Sequence, residues 1–496
     1  MSRTGCPYDN APIERYFNTL KHEQIYLFEY RTERELDAAV AEFAYAWYNR
    51  VTASHVQWWS NTGCCQSGLI LCAGATILLD HVRGGELMNV LVVTMFPFEY
   101  NTSATIQNKG IVRGLVALGN NVDTLTLEPL QTSASYDDSM NDIVKLINNA
   151  YYFKPDKTYE RLMAKKANAV GGSRTRNANV LKTIAGTGRS FIKHIFDSVS
   201  IFDAQKANVK HVSDVKIDYS KYDVIISSSD PKSSHLIVDR IFRKNPGLNS
   251  KWIQYWGDPM FHDITRKSDW RDGIVKYHER RLISKADRVI YASPLTLQKQ
   301  KDTFPEFSHK MDYASQVYAG EFGSLLSSSD EQRKPISVGY FGAYRSTVRN
   351  IIPLYRSAQG ADFMLTICGG TDLSLSSTDN VRIMNAVSYN ESVRLEQDSD
   401  ILVCICNLRG TQIPGKIYYY TAYRKPIIVV LDGEFKDELR TYFASFKRFI
   451  LCDNNEKSIR VAIAEAETQV GRPHYELVDQ LKPEYMAKKI LGQIIL

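Results

Sequence analysis

Two side chains able to do acid–base work stand together just after a strand-like run. In YWGDPMFHD, residues 255–263, Asp258 and His262 follow the apolar segment KWIQYW at 251–256. At the carboxyl end of a strand, a carboxylate and an imidazole suit contact with an acceptor group or removal of its proton. Asp258 is equally placed to cap a turn before Pro259, and His262 to be an ordinary surface histidine. His235, in SSSDPKSSH after an earlier strand-like run, is a lesser candidate of the same kind. Cysteine offers no metal chemistry. Cys64, Cys65 and Cys72 are bunched, but no second CxxC or histidine stands at zinc spacing nearby. Cys404 and Cys406 lie inside an apolar run and read as buried thiols.

The elements that must position these groups begin at Met88. MNVLVVTMFPF is a continuous apolar run ending near Pro97, the mark of a strand buried on both faces. A polar loop is expected over 99–108. Ile111, Leu115 and Leu118 then sit at helical spacing, with Gly119 ending the helix. NVDTLTL (121–127) is the next strand, which makes a strand–loop–helix–strand unit of a parallel α/β sheet. Further strands are expected at 222–229, 251–256 and 287–293. Residues 320–335, GEFGSLLSSSDEQRKP, are polar, serine-rich and aperiodic, and read as a linker. After it ISVGYFGAY opens a second series, continued by FMLTICGG, NVRIMNAV, DILVCIC, KPIIVVL and RFILC. Two doubly wound halves leave a cleft between their carboxyl-end loops, where ligands of such sheets bind.

The chain has 496 residues, 44% hydrophobic and 23% charged, with formal net charge +6. That composition excludes a disordered, collagenous or coiled-coil protein and suits two or three globular domains. Eight cysteines in such a length are not a disulfide framework. No apolar leader is visible at the N-terminus, and the longest apolar stretch, 68–79, is short of the roughly 20 residues of a spanning helix. A cytoplasmic protein is expected. Residues 154–194 hold ten Lys or Arg against two acids, interleaved with Leu181, Ile184, Phe191, Ile192 and Ile195. With Phe196 included, 154–196 suits peripheral contact with the anionic inner face of a membrane, or is a solvated helical face packed on the core. Nucleic acid is the weakest reading, because no aromatic stacking platform accompanies the charge.

From Met88 to about Val470 the chain resembles the GT-B glycosyltransferases, nearest the retaining family 4. YHERRLISKADRVIYAS (277–293) is similar to the motif closing that family's first domain. VGYFGAYRSTVRNIIPL (338–354) resembles the glycine and basic turn opening the second. GTQIPGKIYYYTAYRKPIIVV (410–430) resembles the segment that meets the nucleotide sugar. The resemblance implies an α/β fold of two Rossmann-like domains: an acceptor domain at 88–319, the linker at 320–335, a nucleotide-sugar domain at 336–475, and a C-terminal helix at 476–496 crossing back. It implies transfer from a nucleotide sugar to a glycan or lipid-linked acceptor, with no cofactor and no metal. Charge growing on the departing diphosphate would be met by Arg345, Arg349 and Lys416, with Gly342, Gly410 and Gly415 admitting the phosphates to the backbone. The family commonly carries two glutamates eight positions apart, the second holding the donor ribose. Here Thr411 and Tyr419 stand at those places, so the ribose contact falls to a tyrosine hydroxyl or to another group. This departure leaves open a non-transferring protein of the same fold, an epimerase or a scaffold.

Residues 2–51 resemble the end of an IS3-type transposase with an integrase-like catalytic core. In DNAPIE, Glu14 matches the last carboxylate of that family's metal-binding triad. One carboxylate does not assemble a two-metal site. Residues 1–50 are thus read as a transposase remnant and 51–87 as an irregular junction, with DNA binding through the remnant as the alternative function. Bacterial surface-polysaccharide synthesis is the expected setting.

Overall fold

The computed structural model describes residues 87–160, 201–318 and 335–492, apart from short gaps at 134, 158, 265, 267–269, 472–474 and 476. The transposase-like segment with Glu14, the junction, nearly all of the linker and most of the basic run 154–196 lie outside the described residues.

The first sheet grows from β1 (Asn89–Thr94), α1 (Ser103–Ala117), β2 (Asn121–Leu127), β3 (Asn149–Phe153), β4 (Val224–Ser228), α2 (Ser233–Lys244), β5 (Lys251–Trp256), α3 (Asp272–Lys285), β6 (Arg288–Tyr291), α4 (Pro294–Thr303) and β7 (Met311–Tyr313). Its strand order is β3-β2-β1-β4-β5-β6-β7, and the pairings are parallel throughout. The central strands are apolar without alternation because helices cover both faces. Val90, Leu91, Val92 and Val93 are all fully buried, and each such side chain contributes about 1.5–3 kcal/mol relative to exposure.

Helix α1 starts inside the expected 99–108 loop. The Thr102 hydroxyl accepts from Thr105 N at 3.1 Å and caps the first turn. Ser103 and Ala104, expected in the strand–helix loop, are therefore the first helical residues. The mostly polar stretch from Ser103 to Lys109 disguised the turn, although Thr105, Gln107, Asn108 and Lys109 are buried. Gly119, at φ +86°, follows the helix end as anticipated.

The second sheet contains β8 (Ser337–Phe341), α5 (Ile352–Ser357), β9 (Met364–Cys368), β10 (Val381–Met384), α6 (Tyr389–Asp398), β11 (Ile401–Ile405), α7 (Lys416–Tyr419), β12 (Ile427–Leu431), α8 (Lys436–Ala444), β13 (Ile450–Asp453) and α9 (Glu456–Glu467). Its order, β10-β9-β8-β11-β12-β13, is again parallel and repeats the winding of the first. Cys404 and Cys406 are free thiols in its core, and burial pushes the Cys406 thiol up to about 12.

The chain then returns to the first sheet. Helix α10 (Pro483–Leu491) lies on α1, where a methyl added to Gly114 would stand 2.0 Å from the Pro483 carbonyl oxygen. Arg288 Nη2 donates to the Lys489 carbonyl at 3.1 Å and fastens the far end of α10 to β6.

Candidate active site

In both sheets the residues singled out by sequence gather at the carboxyl ends of the strands. After β4 the chain runs through Asp230 and Lys232, and after β5 through Asp258, His262 and Asp263. Lys232 Nζ lies 2.8 Å from Asp230 Oδ1 and 2.6 Å from Asp263 Oδ2. Burial, and then the charges of Asp230 and Asp263, hold the Asp258 carboxyl well above the ordinary range, against the pull of Lys232.

The 258–263 loop is held from below by Glu279 of α3. Its two oxygens accept from Met260 N at 3.1 Å and Phe261 N at 2.8 Å. Burial raises the Glu279 carboxyl to about 7 even against these bonds. His262 Nε2 is 2.9 Å from Thr303 Oγ1, and the Thr303 hydroxyl donates to the Lys299 carbonyl at 2.6 Å. With that hydroxyl proton committed, Nε2 is the donor, and Nδ1 is the basic atom of a neutral ring. Burial first, and then the charges of Lys299, Lys276 and Arg266, lower the His262 pKa, so the ring is neutral at neutral pH and able to take a proton.

His235 has no part in this. It is fully buried on α2, with Nδ1 2.8 Å from Ser227 Oγ and its ring 4.0 Å from that of Trp256. Burial and the Lys232 charge lower its pKa to about 3, and it is a core histidine.

In the second domain, Arg349 ties two carboxyl-end loops together. Its Nη1 donates to the Ala343 carbonyl at 2.7 Å and its Nε to Asn407 Oδ1 at 3.0 Å. Asn407 Nδ2 in turn donates to the Gln412 carbonyl at 2.9 Å. Gly342 leaves an open approach, since an added methyl would meet only Arg349 at 3.9 Å. Arg345 is exposed on the same turn, and its carbonyl accepts from Val348 N and Arg349 N. Gly410 needs its φ of +76° and donates its N–H to Glu434 Oε1 at 3.1 Å. Lys416 pairs with the buried Glu396, while Glu396 Oε2 accepts from the Tyr423 hydroxyl at 2.7 Å.

The two sets of loops meet. Gln412 Nε2 donates to the His262 carbonyl at 3.1 Å. Ser293 Oγ donates to the Thr411 carbonyl at 2.9 Å, and the Thr296 and Thr411 hydroxyls lie 2.9 Å apart in a buried contact. The Tyr419 hydroxyl donates to Gln316 Oε1 at 2.7 Å, with the Ser103 carbonyl at 3.2 Å. Gln316 continues to Gln107 Oε1 at 3.0 Å, and Gln107 to the Ser229 carbonyl at 3.3 Å. Gly415 lies beneath this chain, where an added methyl would fall 2.4 Å from Gln316 Oε1 and displace that side chain. Thr411 and Tyr419, the positions where two glutamates were anticipated, are thus contact residues between the domains.

Sequence reasoning missed Lys232, Glu279, Glu396, Gln107 and Gln316. Lys232 stood in the quoted SSSDPKSSH, two residues from its partner Asp230 but far in sequence from Asp263, and Glu279 stood in YHERRLISKADRVIYAS, far from the Met260 and Phe261 amides it accepts from. Gln107 and Gln316 carry no local signal.

Two doubly wound parallel sheets, joined by loops at their carboxyl ends and by a C-terminal helix returning to the first, define the GT-B architecture. No family model matches the chain, and no curated protein matches it. Among solved structures, a glycosyltransferase from Rickettsia africae aligns over 82% of this chain and 100% of its own, at 13% identity and TM-score 0.44. WaaG, a glycosyltransferase involved in lipopolysaccharide biosynthesis, aligns over 82% and 100% at 10% identity and TM-score 0.42. A putative UDP-N-acetylglucosamine 2-epimerase from Listeria monocytogenes aligns over 82% and 96% at 9% identity and TM-score 0.38.

Proposed function

We propose that the protein is a glycosyltransferase that moves a sugar from a nucleoside-diphosphate donor to a glycan or lipid-linked acceptor in bacterial surface-polysaccharide synthesis. The observation that supports this most is the meeting of the 258–263 loop with the 407–416 loop, through the Gln412 side chain and the His262 carbonyl.

In this reading the second domain takes the donor. Arg349, Arg345 and Lys416 face the diphosphate, and Gly342, Gly410 and Gly415 let it approach the backbone. The chain's own cations, with no metal, meet the charge on the leaving group. The ribose is held by Tyr419 or by a backbone group. On the acceptor side, Asp258 in its protonated form donates a hydrogen bond to an acceptor hydroxyl. Neutral His262 takes the proton released as the glycosidic bond forms. Closing the loops over both substrates aligns donor carbon and acceptor oxygen and excludes water.

Residues 2–51 are read as a transposase-derived segment fused ahead of the transferase, with no part in transfer. The second reading, a non-transferring protein of this fold, draws on the engagement of Thr411 and Tyr419 in contacts between the domains. The test is the thermal stability of the full chain with UDP, GDP, CMP and dTDP. A ligand at a hundred times its dissociation constant adds about 2.7 kcal/mol. A shift with one nucleotide, lost in Arg349→Ala, is expected. A folded chain indifferent to all four would point to the scaffold. Donor consumed without any acceptor would point to the epimerase.

A further inference from the structure

Helix α3 is amphipathic in two senses. One face, with Val275, Glu279, Leu282 and Ile283, is buried against the first sheet. The opposite face carries Trp270, just ahead of the helix, then Ile274 and Tyr277, spaced four and three apart. These large side chains are 79%, 38% and 60% exposed. Isolated exposed apolar residues need no explanation, but three on one helical face form a patch. The patch is flanked by cations. Lys276 is exposed on the same helix with its ammonium over the Phe261 and Phe304 rings, Lys206 lies beside the helix over the Phe202 ring, and Arg280 and Lys285 are exposed with Glu306 and Asp239 as their respective partners. The neighbouring acids are neutralised within the fold, Asp272 by Arg266 and Glu306 by Arg280 at 2.7 Å.

We propose that this face of α3 is a docking surface for a bilayer bearing anionic headgroups. Tryptophan and tyrosine combine an apolar ring with a polar edge and settle at the headgroup level. Lysine and arginine around them meet the negative surface potential. A protein partner would be served by the aromatic side chains but gives no reason for the excess of positive charge, and it is the competing outcome of the test. None of the residues of this surface belongs to the basic run 154–196, and the proposal concerns lipid headgroups, independent of whether a sugar is transferred. Its consequence is geometric. Through the Glu279 bonds to Met260 N and Phe261 N, the same helix holds the 258–263 loop, so a membrane docked on α3 lies beside the acceptor side of the cleft.

The test is flotation of the full chain with vesicles of phosphatidylcholine alone or with added phosphatidylglycerol. The wild type is expected to float with the anionic vesicles and to be released by salt. Trp270→Ser with Tyr277→Ser is expected to lower partitioning about tenfold or more, and Lys276→Glu to weaken it at low salt. Val461→Ser, an equally exposed site on α9, is the control and should float as the wild type does. Trp270 and Tyr277 are exposed, so the melting temperature of the double variant should be unchanged. A wild type that stays in solution, or a double variant that floats equally well, would overturn the proposal. The second result would move lipid binding elsewhere, to 154–196 first of all. Light scattering that shows a self-association abolished by the same substitutions, without vesicle binding, would assign the face to a second copy of the chain.

Discussion

At the scale of single residues, buried charge governs what the candidate site can tolerate. Lys416 illustrates it, because the group read as a phosphate contact also neutralises Glu396. Breaking a buried pair from one side costs about 3 kcal/mol, and somewhat less here because Lys416 keeps about a third of its side chain in solvent. Lys416→Met should therefore lower stability by about 2 kcal/mol, and adding Glu396→Gln should restore most of it. Transfer activity should stay low in the double variant if the ammonium meets phosphate. Recovery of both stability and activity would reduce Lys416 to a structural role. Glu279 gives a pH signature. Its folded-state pKa is raised from 4.5 to about 7, so the native state holds a proton that the unfolded chain releases near pH 4.5. That stabilisation, on the order of 3 kcal/mol, is complete below pH 4.5 and is lost as pH rises through 7. The melting-temperature difference between wild type and Glu279→Gln should shrink from pH 5 to pH 8. Parallel curves would show that the carboxyl titrates normally.

At the scale of elements, strands buried on both faces were the legible part. NVLVVT announces itself through a continuous apolar run, and NVDTLTL and KWIQYW through β-branched, aromatic and aliphatic residues. Two edge strands did not: β3 is NAYYF, partly exposed, and β7 is only MDY. Edge strands bury less and need less apolar sequence. The start of α1 was hidden because its buried first turns are polar, their side chains satisfied by distant groups such as Asn108 with Thr94 and Ser228. The candidate site was legible only in half. Asp258, His262, Arg349 and Lys416 could be seen beside glycines and strand ends. The groups that fix them, Glu279, Thr303, Asn407 and Glu396, are brought in by tertiary packing that no local pattern records. Helix α10 offers a direct test of that packing. Alanine in place of a mid-helix glycine normally adds up to about 1 kcal/mol. At Gly114 the new methyl would collide with the Pro483 carbonyl at 2.0 Å, and backbone cannot swing aside as a side-chain tip can. Gly114→Ala should instead lower stability by about 3 kcal/mol in urea unfolding. A neutral or stabilising result would mean that α10 does not sit on α1.

At the scale of the whole molecule, the described contacts between the two sheets join polar pairs to an apolar cluster in which Ile106 of α1 packs with Tyr418, Tyr419 and Ile413. Thr411 bonds to Ser293 and Thr296, Tyr419 to Gln316, and Gln412 to the His262 carbonyl. Interfaces between domains of one chain commonly permit the domains to move relative to one another. Each net hydrogen bond is worth about 1 kcal/mol, so removing two should shift the ratio of open to closed forms by about thirty-fold. Thr411→Val with Tyr419→Phe keeps the side-chain volume of both sites and removes only the hydroxyls. Small-angle scattering should give a larger radius of gyration for this double variant than for the wild type. A nucleotide that stabilises the closed form should return it toward the wild-type value and bind more weakly, because part of its binding energy is used in closing the domains. This outcome also separates the two functional readings. In a transferase the hydroxyls are latches that open and close with each turnover, so the variant should change in shape, affinity and rate together. In a scaffold they are fixed joints, and the variant would lose stability with no ligand able to restore its shape.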